Sequence, residues 1–286
     1  MAPVADRPAG ILWPAAGTDV YDVSREESVP DPVSLVAHHL WSVRWRRPEP
    51  SSFRAAVLSH PVLQLTFEDA EGGRLHGQPV PAALVHGLVT RVFTVDLPVA
   101  GRVTGVAFHP GGLAALLDRD VRDLTDRVVP AREVLGPRVD ELAEVVLTEP
   151  DEQVRRATVL SALAEVLEPE LERVAGDTSY RVVREAVELM RAREHLTLAP
   201  VAERVHVSVR TLQRLFARYV GASPLWVLRR YRLQDAATAI DAGEGQDLAD
   251  LAVSLGFADQ AHLSRAFRAV VGVPPSVYRD AAPARS

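Results

Sequence analysis

Two short sets of side chains carry the residue types that read a DNA major groove. Arg210, Gln213 and Arg214 stand at i, i+3 and i+4, on one face of a helix. Gln260, His262 and Arg265 form a second set further along the chain. Arginine can bond twice to the edge of guanine, and glutamine twice to adenine. His262 sits near the edge of its arc, within reach of a base or a phosphate. Around these sets, Ser208, Thr211, Arg218, Ser264 and Arg268 suit phosphate oxygens, which fix position and affinity rather than sequence preference. Either set alone reads equally well as a solvated helix face. Two such sets on matching scaffolds favour DNA.

The scaffold is a duplication. Leu212–Pro224 aligns with Leu263–Pro275 at an offset of 51, with six of thirteen positions identical. Upstream, Val201-Ala202 aligns with Leu251-Ala252, so the second copy has one extra residue in its turn. A repeat of this length is a supersecondary unit used twice. Each copy reads as helix, tight turn, helix. In the first, Pro200–Val205 is followed by a turn at His206-Val207, and Ser208 is placed to cap the next helix. That helix turns Val209, Leu212, Leu215, Phe216 and Tyr219 inward. In the second, Asp247–Ser254 precedes a turn at Leu255-Gly256-Phe257, where Gly256 takes positive φ cheaply, and Asp259 is the cap. Leu263, Ala266, Phe267 and Val270 face inward there. Between the units, Pro224–Ala242 reads as one long helix ended by Gly243–Gly245.

The bulk composition bounds the rest. At 286 residues the chain has room for two domains, and 47% hydrophobic with 24% charged residues is ordinary for a globular protein. No apolar run reaches the length of a membrane span, and Met1–Pro8 has no basic start followed by an apolar stretch, so no secretory signal and a cytoplasmic location are expected. There is no cysteine, which excludes disulfides, thiolate metal sites and cysteine nucleophiles. All 32 basic residues are arginine, as a GC-rich genome would produce. The net charge of -6 hides an asymmetry: residues 1–175 hold 17 Arg against 26 acids, residues 176–286 hold 15 against 12. Residues 204–232 hold seven arginines and no acid, a local basic stripe on an acidic chain.

The N-terminal half is patterned differently. Residues 1–32, rich in Pro, Ala and Asp, read as an extended arm, and 33–135 as a β-rich domain for an effector or for dimerisation. Within it Val62–Phe67, Ala83–Leu97 and Val103–Phe108 favour strands, punctuated by turns at Glu71–Gly73 and His109–Gly112. Short strands at this density suggest a small barrel or sandwich. Gly112–Leu117 reads as a short helix. Residues 136–175 form a helical linker, with helices over Val139–Leu147 and Asp151–Leu167, and Asp177 or Thr178 caps a helix over Ser179–Glu194. Residues 176–286 are the DNA-binding domain.

The stretch Gly256–Arg279, with Ser208–Pro224 and Tyr231–Ala236, resembles the DNA-binding domain of the AraC/XylS family. Val201, where leucine is usual, and Leu263, where an aromatic is frequent, are the departures. The resemblance covers about 180–280. It implies a rigid linker helix holding two recognition helices in successive major-groove segments, with Arg210, Gln213, Arg214, Gln260, His262 and Arg265 toward the bases. It also implies an N-terminal domain that senses a small molecule or dimerises, often on a cupin-like barrel. The expected fold class is therefore α+β: a cupin-like small β-barrel with flanking helices, then an all-α domain of two helix-turn-helix units joined by a linker helix.

The effector pocket is expected at His38, Trp41, His76 and His109, although Trp41, Trp45, Phe93 and Phe108 are more simply read as core. No metal site and no cofactor are expected, because the clustered His-x-His…Glu pattern of a metal cupin is absent. His195 and His206 read as structural. The expected partners are double-stranded DNA, a small-molecule effector, RNA polymerase and a second copy of the chain, with no membrane. The competing readings are an N-terminal domain that binds a protein partner or only dimerises, and a barrel enzyme fused to a DNA module. Against the last, no nucleophile elbow, phosphate loop or dinucleotide fingerprint is present, and alkyl transfer would need a cysteine.

Overall fold

The computed structural model describes residues 21–26, 28–46, 53–192, 197–243 and 247–280. The strands are β1 (Tyr21–Glu26), β2 (Ala37–Arg46), β3 (Phe53–Val57), β4 (Gln64–Ala70), β5 (Arg74–Leu75), β6 (Gln78–Pro79), β7 (Ala82–His86), β8 (Phe93–Leu97), β9 (Ala100–Phe108) and β10 (Val128–Pro130). Helix α1 (Gly112–Leu117) leaves the sheet after β9, and α2 (Arg132–Leu135), α3 (Arg138–Thr148), α4 (Glu152–Leu167) and α5 (Leu171–Gly176) follow β10. The remainder is helical: α6 (Thr178–Arg191), α7 (Leu198–Arg204), α8 (Val209–Tyr219), α9 (Pro224–Asp241), α10 (Leu248–Ser254), α11 (Gln260–Val271) and α12 (Pro275–Asp280). The architecture is α+β, with a β-rich N-terminal half and an all-helical C-terminal one. No helix among the described residues is long and apolar enough to cross a membrane.

Six strands form one antiparallel sheet in the order β1-β2-β9-β4-β7-β10, and β3 pairs with β8 in a separate ribbon. The strand period of two sends alternate residues to opposite faces. On one face, Leu40, Leu65, Phe67, Val85 and Val106 pack with Val139, Ala143 and Val146 of α3 and with Val159 and Leu163 of α4. On the other, Trp41, Val43, Thr66 and Glu68 face Ala55, Val57, Phe93, Val95 and Leu97 of the ribbon across a cavity of about 470 Å³. Both faces are thus covered, which explains why β4 is buried almost throughout rather than alternating.

Two expectations change here. Tyr21–Glu26, read as part of an extended arm, is the edge strand β1, registered with β2 from Tyr21↔Trp45 to Glu26↔Leu40. Residues 1–20 of that arm lie outside the described residues. The apolar run Ala83–Leu97 is two strands in different sheets, β7 and β8. The chain leaves β7 at Gly87, where a Cβ would stand 1.7 Å from the Leu124 carbonyl oxygen, so the backbones approach too closely for a side chain.

The cavity wall depends on two glycines. Trp41 is registered opposite Gly105 and Trp45 opposite Gly101. A Cβ at Gly105 would lie 2.5 Å from the Trp41 indole, and one at Gly101 2.1 Å from that of Trp45. Each indole therefore lies over bare backbone. Gly105→Ala should displace the Trp41 ring and cost about 1–3 kcal/mol, the range for overpacking a filled site. A lower thermal midpoint with a shifted tryptophan emission is the expected readout. An unchanged midpoint would mean that the ring yields freely.

Candidate nucleic-acid interface and the barrel cavity

The two helix-turn-helix units repeat their physics residue by residue. In the first turn His206 takes φ 55°, and in the second Gly256 takes φ 74°. The following N–H groups close the turns alike, Val207 to the Ala202 carbonyl and Phe257 to the Ala252 carbonyl, at 3.0 and 2.9 Å. Ser208 then caps α8, its Oγ accepting from the Thr211 N–H at 3.1 Å, and Asp259 caps α11, its Oδ1 accepting from the His262 N–H at 2.6 Å. Leu212 and Phe216 in one unit, and Leu263 and Phe267 in the other, are fully buried. After each recognition helix a glycine with positive φ turns the chain, Gly221 at 84° and Gly272 at 92°.

Arg210, Gln213 and Arg214 are exposed on α8, and Gln260 and Arg265 on α11. Among the described residues none of the three arginines makes an ion pair, which leaves their guanidinium groups to an incoming partner. Ser208 and Arg268 are exposed, and Thr211 and Ser264 half-buried. Thr211 Oγ1 lies 3.0 Å from Ser208 Oγ, so both hydroxyls already belong to the cap. His262 is half-buried, its ring edge-on to Phe257 at 5.3 Å and its Nδ1 accepting from the Ala258 N–H. That placement fixes the ring at the edge of the exposed arc. Val209, read as inward, is 36% exposed, because it occupies the first position of its helix.

The basic stripe is smaller than its sequence. Arg204, Arg210, Arg214, Arg218 and Arg229 are exposed, but Arg230 is 2% exposed and Arg232 is half-buried. Arg232 Nη1 donates to the Gly256 carbonyl at 3.2 Å, tying the linker helix α9 to the second turn. Tyr278 of α12 bonds Asp241 Oδ2 at the C-terminal end of α9. Arg218, expected on a phosphate, is paired with Asp118 after α1 at 2.6 Å. Its neighbours are also engaged: the Arg218 carbonyl accepts from the Val121 N–H, and the Gly221 carbonyl from Thr125 Oγ1. The first unit is docked on the N-terminal domain.

In that domain the expected pocket residues separate. Trp41 and His76 line the cavity, whereas His38 and His109 lie outside it. Their rings pack edge to face at 5.2 Å, and His109 Nε2 lies 3.2 Å from the Ser34 carbonyl and 3.5 Å from Arg184 of α6. They belong to the junction with the helical half, because the β2 alternation turns His39 and Trp41 inward and His38 away. Phe93 also lines the cavity rather than the core, Trp45 does so while 3% exposed, and Phe108 is core. His195 lies outside the described residues.

Sequence reasoning found no metal-ligating cluster, and here the structure differs. Glu68, His76 and His86 converge in the cavity, with one ligand atom from each lying within 4.8 Å of the others. The signal was the inward phase of β4, which places Glu68 beside Thr66. It was hidden because His76 arrives from a hairpin tip and His86 from the end of β7. Burial alone would raise the Glu68 pKa, but its contacts with His76 and His86 hold it well below the usual carboxylate range.

A linker helix that holds two exposed recognition helices defines a tandem helix-turn-helix protein. Residues 201–281 match the family model described as a helix-turn-helix domain, and residues 30–130 match a domain of unknown function, DUF6597. A putative AraC-like transcription regulator of Streptomyces lividans is 40% identical over 83 residues, and one of Streptomyces antibioticus is 37% identical over 83. In both cases the match covers 29% of this chain and 27% of the relative. The solved structure of a transcriptional regulator with an AraC-type DNA-binding domain, from Chromobacterium violaceum, is 30% identical. It aligns with 37% of this chain and 97% of its own, at a TM-score of 0.34. The C-terminal domain of this chain is a double helix-turn-helix domain similar in sequence to those of AraC-like transcription regulators.

Two cavity-wall histidines make the fold sensitive to acid. Burial, and then the positive charge of Arg25, lower His39 to a pKa of about 3 and His60 to about 4. An unfolded chain takes up these protons below about pH 6.5, the folded one only near those lower values. Protonation therefore favours unfolding, and stability is lost progressively as pH falls from about 6.5 toward 4. Melting curves across that window should show the decline, and His60→Gln should flatten it. An equal slope in the variant would assign the decline to other groups.

Proposed function

We propose that this chain is a sequence-specific DNA-binding transcription regulator whose N-terminal cavity holds a small-molecule effector. The observation that carries the first part is the repetition of one capped recognition helix, each copy exposing arginine and glutamine on the same outward arc. On this reading Arg210, Gln213, Arg214, Gln260 and Arg265 read bases, with His262 at the margin. Ser208, Thr211, Arg218, Ser264 and Arg268 hold the backbone. The protein acts by binding rather than catalysis, in the cytoplasm.

The effector reading is supported by how the cavity wall reaches the linker helix. Val89 lines the cavity, and its carbonyl accepts from Arg230 Nη2 of α9 at 2.5 Å, with the Arg91 carbonyl at 3.0 Å. Ser59 and His60 line it too, and the adjoining Leu58 carbonyl accepts from Gln234 Nε2 at 2.9 Å. A molecule that moves either segment changes the seat of α9 and so the two recognition helices. It can shift the population only through different affinity for the two arrangements. The lining, apolar along Trp41, Val43, Val95 and Leu97 and polar at Thr66, Glu68 and His86, suits an apolar molecule with one polar end.

In-vitro selection of duplex DNA by the full-length protein tests the first part. Two enriched blocks about one helical turn apart are expected. Sequence-blind, salt-sensitive binding would refute base reading by the free protein. Within a recovered site, Arg214→Ala and Arg265→Ala should each cost about 1–3 kcal/mol and relax one base position. Arg218→Ala should weaken all duplexes alike and lower the salt slope by about one. Asp118→Ala, which frees Arg218, should strengthen all duplexes slightly, by less than about 1 kcal/mol, the range of exposed ion pairs. Fluorescence anisotropy over a salt series separates these outcomes, and equal losses on every duplex for all three arginines would overturn the assignment.

A further inference from the structure

The most unusual chemistry in the molecule is not in the DNA-binding half. Glu68 carries a carboxylate 1% exposed in a cavity with largely apolar walls. Its Oε1 accepts from Thr66 Oγ1 and from His86 Nε2, both at 2.7 Å. Its Oε2 lies 3.2 Å from His76 Nε2 but out of line for a hydrogen bond, so that buried oxygen has no hydrogen-bond partner. A carboxylate oxygen withdrawn from water without a donor is costly, and native structures rarely leave one so.

The backbone is also bent to bring the third group in. His76 occupies the tip of the two-residue hairpin between β5 and β6 with φ 51°, and Gly77 follows at 77°. Two successive positive φ angles are the pattern of the hairpin turn that favours Asn-Gly. A histidine there gives up the easier choice, and its side chain is 9% exposed and aimed at Glu68. The imidazoles of His76 and His86 are 4.9 Å apart, and Phe93 packs on both, at 5.0 and 5.6 Å.

We propose that Glu68, His76 and His86 form a binding site for a divalent transition-metal ion of the zinc class, seated in the wall of the barrel cavity. Two imidazole nitrogens are borderline donors that suit such ions rather than calcium or magnesium, and with one carboxylate oxygen they make a ligand set that zinc takes. Donors bound at about 2.0–2.1 Å in a tetrahedron stand about 3.3 Å from one another. The His76 Nε2–Glu68 Oε2 separation of 3.2 Å meets that spacing, and His86, whose ligand atom lies within 4.8 Å of the other two, would give up its hydrogen bond to Oε1 and turn to the ion. The ion would use the carboxylate oxygen that has no donor. Thr66 would orient the carboxylate from outside, as outer partners of metal ligands do. Three protein ligands leave a coordination position, which the cavity can fill with water or a further donor. This site stands or falls independently of DNA recognition.

The test uses the full-length protein, stripped with a chelator and titrated with cobalt(II) as a spectroscopic stand-in for zinc. One equivalent should bind with visible absorption bands typical of low coordination number, and zinc should displace it and raise the thermal midpoint. His76→Asn keeps a residue suited to the positive-φ turn while removing a ligand. It and His86→Ala should weaken cobalt binding more than about 100-fold, beyond the ~10–100-fold that loss of an outer partner costs. Thr66→Val should fall within that smaller range. No stoichiometric cobalt or zinc binding by the wild-type protein would overturn the proposal and leave the cluster a buried ion pair. So would equal binding by the folded His76→Asn variant.

Discussion

The seat of the linker helix on the N-terminal half depends on one charge taken out of water. Arg230 is 2% exposed, and its guanidinium is held by two carbonyls of the segment after β7 and by the face of Trp226 at 5.2 Å. Its Nε and Nη1 have no hydrogen-bond partner, and burial lowers its pKa to about 10. Such a cation is tolerated only while those carbonyls stay in reach. Every displacement of the β7–β8 segment is therefore felt at the middle of α9, the helix that spaces the recognition helices.

Of the three apolar cores among the described residues, two lie around that contact and differ in kind. One runs without a break from the sheet through α1 and α3 into α6, α7 and α8, so Val33, Phe67, Tyr180 and Phe216 belong to the same packed body. Tyr180 Oη donates to the Leu35 carbonyl across it, and Tyr219 Oη to Asp177. The other core gathers the end of α9 with α10, α11 and α12, and receives from the N-terminal half chiefly Leu58, with Ala56 and Val92 beside it. The first recognition helix is thus built into the barrel domain, whereas the second is attached to it through a narrow apolar contact.

The helical half was legible because its rules are local. Caps at Ser208 and Asp259, the positive-φ turn at Gly256 and the buried pairs Leu212/Phe216 and Leu263/Phe267 follow from helical spacing and backbone chemistry. What was not legible came from contacts across long separations. The burial of Arg230 depends on carbonyls about 140 residues away, and Arg218 meets Asp118 a hundred residues upstream. The cavity was misread in the same way. His38 and Trp41 are close in sequence, but the strand sends them to opposite sides, and Glu68, His76 and His86 meet only once β4, the β5–β6 hairpin and β7 are in register. A bulge between Ala37 and His39 further shifts the β2 alternation that sequence spacing alone would assume.

The glycines opposite Trp41 and Trp45 have a consequence for the evolution of the cavity. Because each indole rests on backbone, the space inside the barrel is set by the aromatic rings and not by the strands that carry them. Exchanging an indole for a smaller side chain would enlarge the chamber without re-registering a single hydrogen bond of the sheet. A lineage carrying this frame can therefore change the volume and shape of the chamber by one substitution at a time. The segments that seat α9, Leu58–His60 and Val89–Arg91, carry neither indole and would keep their hydrogen bonds.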